Sequence, residues 1–206
     1  DGTMQEALQV VLPTAIAVDD DGDMPVAVFN DGRSFKLIAQ AMTRTNYHTY
    51  VKDQIVGPDS IPKVPLWGGT DYSPVLRAVL ADEGFVKRAG LFGLGPEAFV
   101  PSPNACPTIV YFFTDGECSP EDKFKTRALL GKAQVEGCRA YFVLVGVGPA
   151  DHSFLKDLAR ELDNAGFVSV VDLRQMTCSS PDSIARQLLP DEMLAWLKLQ
   201  ERKTVG

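Results

Sequence analysis

Apolar side chains at Leu8, Val11, Leu12, Ala15 and Ile16 recur at three- and four-residue intervals, so residues 3 to 18 predict an amphipathic helix, kinked at Pro13. The stripe stops at the polar cluster Asp19-Asp20-Asp21-Gly22-Asp23. Met24 to Phe29, the turn residues Asn30-Asp31-Gly32, and Ser34 to Ile38 then predict a strand, a turn and a strand, which is a hairpin. Trp67-Gly68-Gly69-Thr70-Asp71-Tyr72 predicts a tight loop. Ser73 as cap and Pro74 in the first turn open a helix to about Asp82. Residues 84 to 107 hold four glycines and four prolines and predict a long ordered loop.

The second half reads more strongly. Thr108 to Thr114 is an unbroken apolar, β-branched and aromatic run ending at Asp115-Gly116, as expected of a strand buried on both faces. Ser119-Pro120-Glu121-Asp122 predicts a capping box with proline at the first helical position, and a helix to about Glu136. Ala140 to Val147 predicts the next buried strand, residues 151 to 163 a helix, and Val168 to Leu173 a last strand. Ser180-Pro181 starts a helical region over 181–203 that restarts at Pro190. Five strands alternating with helices of this length predict an α/β fold: a mainly parallel central sheet with helices on both faces, in three layers. The length of 206 residues suits a single domain over 1–206.

Composition narrows the functional classes. Twenty Lys and Arg against 27 Asp and Glu give a formal charge of -7, which repels phosphate backbones and argues against nucleic acid. Cys106, Cys118, Cys138 and Cys178 form no Cys-x-x-Cys pair, and His48 and His152 are the only histidines, so no zinc-type spacing exists. The cysteines predict small core-edge residues in a reducing compartment. No apolar run is long enough to span a membrane, and Asp1-Gly2 is no signal-peptide start, so a cytoplasmic location is expected. A chain beginning without methionine is expected to have been processed or cut from something longer.

In parallel sheets ligands bind beyond the carboxyl ends of the strands, which singles out Thr114-Asp115-Gly116-Glu117 and the Gly68-Gly69-Thr70-Asp71 loop. A hydroxyl on Thr70 and a carboxylate on Asp115 suit a hard cation such as Mg²⁺, or Mn²⁺ or Ca²⁺, although two donors are too few for a complete site. The bland alternatives are that Thr70 shapes its loop and Asp115 accepts backbone hydrogen bonds. The acidic run 19–23 fails as a calcium loop: with Gly22 at position 6, Ala17 and Val28 fall where ligands are needed. Gly146-x-Gly148 fails as a dinucleotide fingerprint, because Asp151 stands in place of the third glycine. His48 and His152 are expected to be surface or capping residues, and Trp67 and Trp196 core anchors.

Trp67 to Pro74 and Phe112-Phe113-Thr114-Asp115-Gly116-Glu117 resemble the second and third segments of the metal-ion-dependent adhesion site of von Willebrand factor A (vWA) domains. The closer resemblance is to the TerF-like subgroup found in bacterial tellurium-resistance proteins. It extends to the helix from Asp1-Gly2-Thr3-Met4-Gln5 to Leu12-Pro13, the run Asp19 to Gly22, Asn46-Tyr47-x-x-Tyr50-Val51, and the tail from Leu188-Leu189 to Trp196-Leu197. The resemblance implies a Rossmann-like vWA fold and a non-catalytic protein-protein interaction module. In it Thr70 meets the ion directly or through water, Asp115 mainly through water, and a partner's Asp or Glu completes the shell. The family's Asp-x-Ser-x-Ser segment is not in this sequence, so the first, central strand that carries it is expected upstream of Asp1.

Two other functions compete. One is a metal-independent structural scaffold that binds through residues 84–107. The other is a haloacid-dehalogenase-type, Mg²⁺-dependent phosphatase. Ala15-Ile16-Ala17-Val18-Asp19-Asp20-Asp21-Gly22 resembles that family's strand and Asp-x-Asp-Gly, with Asp19 as nucleophile and Asp21 as acid/base. Against it stand Asp23 at a position where Thr or Val is usual, the helical stripe over residues 3–18, and the lack of a later pair of acids.

Overall fold

The computed structural model describes residues 11, 22–30, 35–56, 69–88, 97–101, 107–172 and 179–204. Of the helix expected over 3–18 only Val11 falls among these, as a buried helical residue. Asp19, Asp20, Asp21, Trp67, Cys106 and Cys178 lie outside the described residues.

The centre is a parallel sheet of three strands, β7 (Thr108–Thr114), β8 (Ala140–Val147) and β9 (Ala165–Val170), in the order β7-β8-β9. Parallel neighbours need crossovers, and helices supply them: α2 (Pro120–Val135) joins β7 to β8, and α3 (Ser153–Glu161) joins β8 to β9. Side chains alternate along β8. Ala140, Phe142 and Leu144 face one core with α2, α3 and α1 (Ser73–Asp82). Tyr141, Val143 and Val145 face a second core with α4 (Pro181–Leu188), α5 (Asp191–Thr204) and Val11. Both faces of the sheet are therefore covered, and every residue of β8 except Val147 is buried. Trp196 anchors the second core, its ring 5.4 Å from that of Tyr141. The last strand begins three residues earlier than the sequence pattern predicts, at Ala165.

Helix ends follow local chemistry. The hydroxyl of Ser119 accepts from Asp122 N–H at 3.1 Å and that of Ser180 accepts from Ser183 N–H at 3.3 Å. At the other end Gly84 and Gly137 adopt φ +75°. There Phe85 N–H reaches Leu80 C=O at 2.8 Å and Cys138 N–H reaches Ala133 C=O at 2.9 Å, so α1 and α2 close in the same left-handed way.

The count of five strands needs correction, because nine strands lie among the described residues. The expected hairpin is present but shorter: β2 (Ala27–Phe29) pairs antiparallel with β3 (Phe35–Leu37). Met24 belongs instead to β1 (Asp23–Met24), which pairs with β4 (Met42–Thr43). Pro25 has no N–H to continue a ladder, which separates the two pairings. Within 84–107, β5 (Val86–Arg88) and β6 (Glu97–Phe99) pair antiparallel, so the span expected to be a loop contains a two-stranded ribbon.

Ala27 and Phe29 face the first core, while Val26 and Val28 face a small satellite core of Met42, Tyr50, Val51 and Ile55. Asn46 holds that unit: its Oδ1 accepts from Thr43 N–H at 2.8 Å and its Nδ2 donates to Ala41 C=O at 3.0 Å. The Tyr50 hydroxyl donates to Gln40 C=O. Thus Asn46-Tyr47-x-x-Tyr50-Val51 acts as a structural lock, running into a π-helical stretch at Val51–Val56. No helix among the described residues is long and apolar enough to cross a membrane.

Candidate functional site

Three segments converge at the carboxyl end of β7. Asn30 at the end of β2 is buried, and its carbonyl accepts from Asp71 N–H at 2.9 Å, which fixes the Gly69–Tyr72 loop to the hairpin. The Thr114–Cys118 turn follows β7 directly. The half-buried Thr70 places its Oγ1 3.3 Å from where a Cβ on Gly116 would lie, so the two loops named from the sequence touch. Asp115, adjacent to that contact, is exposed. A side chain at 116 would press on Thr70, which would have to give by a few tenths of an ångström, while the backbone angle of Gly116 is not positive.

The turn is tied internally and across to α1. Thr114 is buried, and its Oγ1 donates to Gly116 C=O at 3.1 Å and accepts from Gly116 N–H at 3.3 Å. The Tyr72 phenol donates to the same carbonyl. Burial pushes that phenol up to about 12, despite an opposing hydrogen bond from Thr114. Phe112, stacked on Phe29 at 4.9 Å and edge-on to Tyr72 at 5.0 Å, fills the space below.

Ser73 does not cap its helix as the sequence suggests. Tyr72 occupies the N-cap position without a side-chain cap bond, and the carboxylate of Asp122, on α2, takes over that function. Its Oδ2 accepts Tyr72 N–H at 2.6 Å, both its oxygens lie 3.3 Å from Ser73 N, and Oδ1 accepts the Ser73 hydroxyl. Thr126, fully buried one turn along α2, adds its hydroxyl at 3.3 Å. The capping box read into Ser119 to Asp122 is therefore half correct: Ser119 caps α2, but the Asp122 side chain serves another helix.

Cys118 and Cys138 are buried free thiols, as expected of core-edge cysteines. Burial, aided by the charge of Asp122, pushes the Cys118 thiol up to about 12, which removes its nucleophilic thiolate at neutral pH. Glu117 pairs with Lys123 at 2.8 Å on the surface, which raises the lysine's pKa through that hydrogen bond.

Of the two places expected for His152, surface or helix cap, the structure bears out only the cap position, and without a side-chain cap bond. It stands at the N-cap position of α3, yet its ring is buried at 4% exposure, against Gly146 and 6.4 Å from the Phe167 ring. Gly146, opposite Thr114 in the ladder, opens the slot by lacking a side chain. Neither ring nitrogen has a hydrogen-bond partner among the described residues. His48 is exposed, its ring tilted against that of Tyr47 at 3.8 Å. No group of three His, Cys, Asp or Glu side chains is placed to share an ion among the described residues.

Sequence reasoning named Asp122, Tyr72, Gly116 and His152 without the contacts they make here. Only Asp122 left a signal, as an acid in a capping motif, and that signal pointed to the wrong helix. No protein-family model matches the chain, and no curated protein matches it.

Proposed function

We propose that the chain is a non-catalytic interaction module of vWA type, TerF-like, which captures a partner protein's Asp or Glu carboxylate through a divalent cation held at Thr70 and Asp115. The observation that carries this reading is the meeting of the Thr70 hydroxyl with the Asp115–Gly116 turn at the carboxyl end of a buried parallel strand. Hard oxygen donors fit Mg²⁺ and, less selectively, Mn²⁺ or Ca²⁺, with waters and the partner's carboxylate making up the rest of the shell. When bound, the ion supplies positive charge and an open position. Thr70 and Asp115 orient it, while the ties from Thr114, Tyr72 and Asn30 keep the two loops together. A link to tellurium or stress resistance belongs to the same proposal and rests on the resemblance alone.

The open edge of β7 supports the family reading. Thr108 N–H bonds Arg139 C=O at 2.9 Å, so alternate residues Thr108, Val110, Phe112 and Thr114 face β8. Ile109, Tyr111 and Phe113 turn their backbone groups the other way, where no described residue pairs with them. In the vWA reading this is the edge at which the family's first strand would pair.

Titrating Mn²⁺ onto the protein, with free ion followed by electron paramagnetic resonance, tests the cation site. Binding that competes with Mg²⁺ and weakens about tenfold or more in Thr70→Ala and Asp115→Asn is expected. Equal binding in the wild type and both variants rules the site out.

A further inference from the structure

A helix cap needs one acceptor, and a serine or aspartate at position 72 would provide it locally. The chain instead spends a buried carboxylate, 4% exposed, from fifty residues away in sequence. Its partners are Tyr72 N–H, Ser73 N–H, the Ser73 hydroxyl and the Thr126 hydroxyl. Burying a charge costs several kcal/mol unless it is paired or fully hydrogen-bonded, and here the N-terminus of α1 and two hydroxyls meet that need. Tyr72 is thereby gripped at both ends, its backbone by Asp122 and its phenol by the Gly116 carbonyl. Thr70 precedes Tyr72 by two residues, and Asp115 precedes Gly116 by one.

We infer that Asp122 is the positioning residue of this site: by clamping Tyr72 and Ser73 it sets where the Thr70 hydroxyl stands relative to Asp115, and through that the site's affinity for a divalent cation. The inference rests on the cation reading given above. A mere helix cap would change stability and leave the relation between the two loops alone. A positioning residue changes how the loops share an ion.

The test compares wild type, Asp122→Asn and Ser73→Ala under conditions where each is folded. Amide hydrogen exchange without metal reads the clamp, and Mn²⁺-induced broadening of amide signals reads the site. In the wild type the Thr70–Asp71 and Asp115–Gly116 signals should broaden at the same Mn²⁺ concentration. In Asp122→Asn, exchange at Tyr72 and Ser73 should speed up about tenfold relative to Leu76 and Leu80. Mn²⁺ affinity should fall about tenfold, with Thr70–Asp71 broadening later than Asp115–Gly116. Ser73→Ala removes one donor while keeping the backbone bonds, and should move both readouts less, in the same direction. Unchanged exchange in Asp122→Asn overturns the clamp. Faster exchange with unchanged Mn²⁺ affinity, or with both loops weakened equally, overturns the positioning role. Wild-type protein in which neither loop broadens defeats the cation reading and with it the positioning role, and the exchange result then stands as a statement about the cap alone.

Discussion

Gly146→Ala is the sharpest packing perturbation available in the sheet. The added methyl carbon would lie 2.5 Å from His152 Cδ2 and Cγ and 3.0 Å from Nδ1, whereas carbon atoms in contact sit roughly 3.5–4.0 Å apart. The backbone of β8 is held between β7 and β9 and buried on both faces, so the ring must move by about 1 Å. No hydrogen bond holds the ring, but it has little room, and overpacking of this kind costs about 1–3 kcal/mol. For a chain of this size that lowers Tm by roughly 2–4 °C per kcal/mol. The background His152→Ala reverses the sign. With the ring gone, alanine in a strand interior is better than glycine by about 0.5–1 kcal/mol, and φ at Gly146 is not positive, so nothing opposes it. A double-mutant cycle by urea unfolding should therefore give a coupling of about 2–3 kcal/mol, with Gly146→Ala destabilising alone and stabilising beside His152→Ala. Equal cost in both backgrounds would refute the account of His152.

Two further outcomes follow from burial and backbone conformation. Burial pushes the phenols of Tyr50, Tyr72, Tyr111 and Tyr141 up to about 12 from 10, the Cys118 thiol to about 12 from 9 and the Cys138 thiol to about 11 from 9. The unfolded chain ionises first, so the stability these groups contribute is complete below about pH 9 and is lost as pH rises toward 12; a urea midpoint constant to about pH 11 would contradict this. Gly137→Ala should cost about 1–2 kcal/mol, because φ is +75° while the nearest atom, Pro101 Cβ, is 3.9 Å away and leaves room for the methyl. Gly131→Ala on the same helix, with nothing within 4 Å, is the control and should stabilise slightly by raising helix propensity.

What could be read from the sequence was local. β7 and β8 announce themselves because a strand covered on both faces has no polar positions, and α2 and α4 because Ser119 and Ser180 cap the N–H three residues on. Thr70 and Asp115 were singled out because parallel sheets place ligands beyond strand ends, and in the structure the two loops that carry them touch. The omissions have in common that each depends on a contact the local pattern does not show. Asp122 looks like a capping residue of its own helix until Tyr72 arrives from α1. His152 looks polar and exposed until Gly146 opens a slot beneath it. The strands β5 and β6, three residues each and carrying Lys87, Arg88 and Glu97, are too short for periodicity and too charged for a buried run.

The contrast between β5 and β7 bears on the edge of the sheet. Exposed edges in natural sheets carry lysine, arginine or proline, which keep other strands from pairing there. β5, in a two-stranded ribbon, obeys this with Lys87 and Arg88 exposed. From Thr108 to Thr114, β7 has no charge and no proline, and its side chains belong to both cores: Val110 and Phe112 to the first, Ile109, Tyr111 and Phe113 to the second. Yet five of its seven residues are only half-buried, whereas its neighbour β8 is buried almost throughout. A strand meant to lie against water would have a polar face or a guarded edge, and β7 has neither. Its composition is that of an interior strand, although among the described residues no strand pairs with the backbone of Ile109, Tyr111 and Phe113.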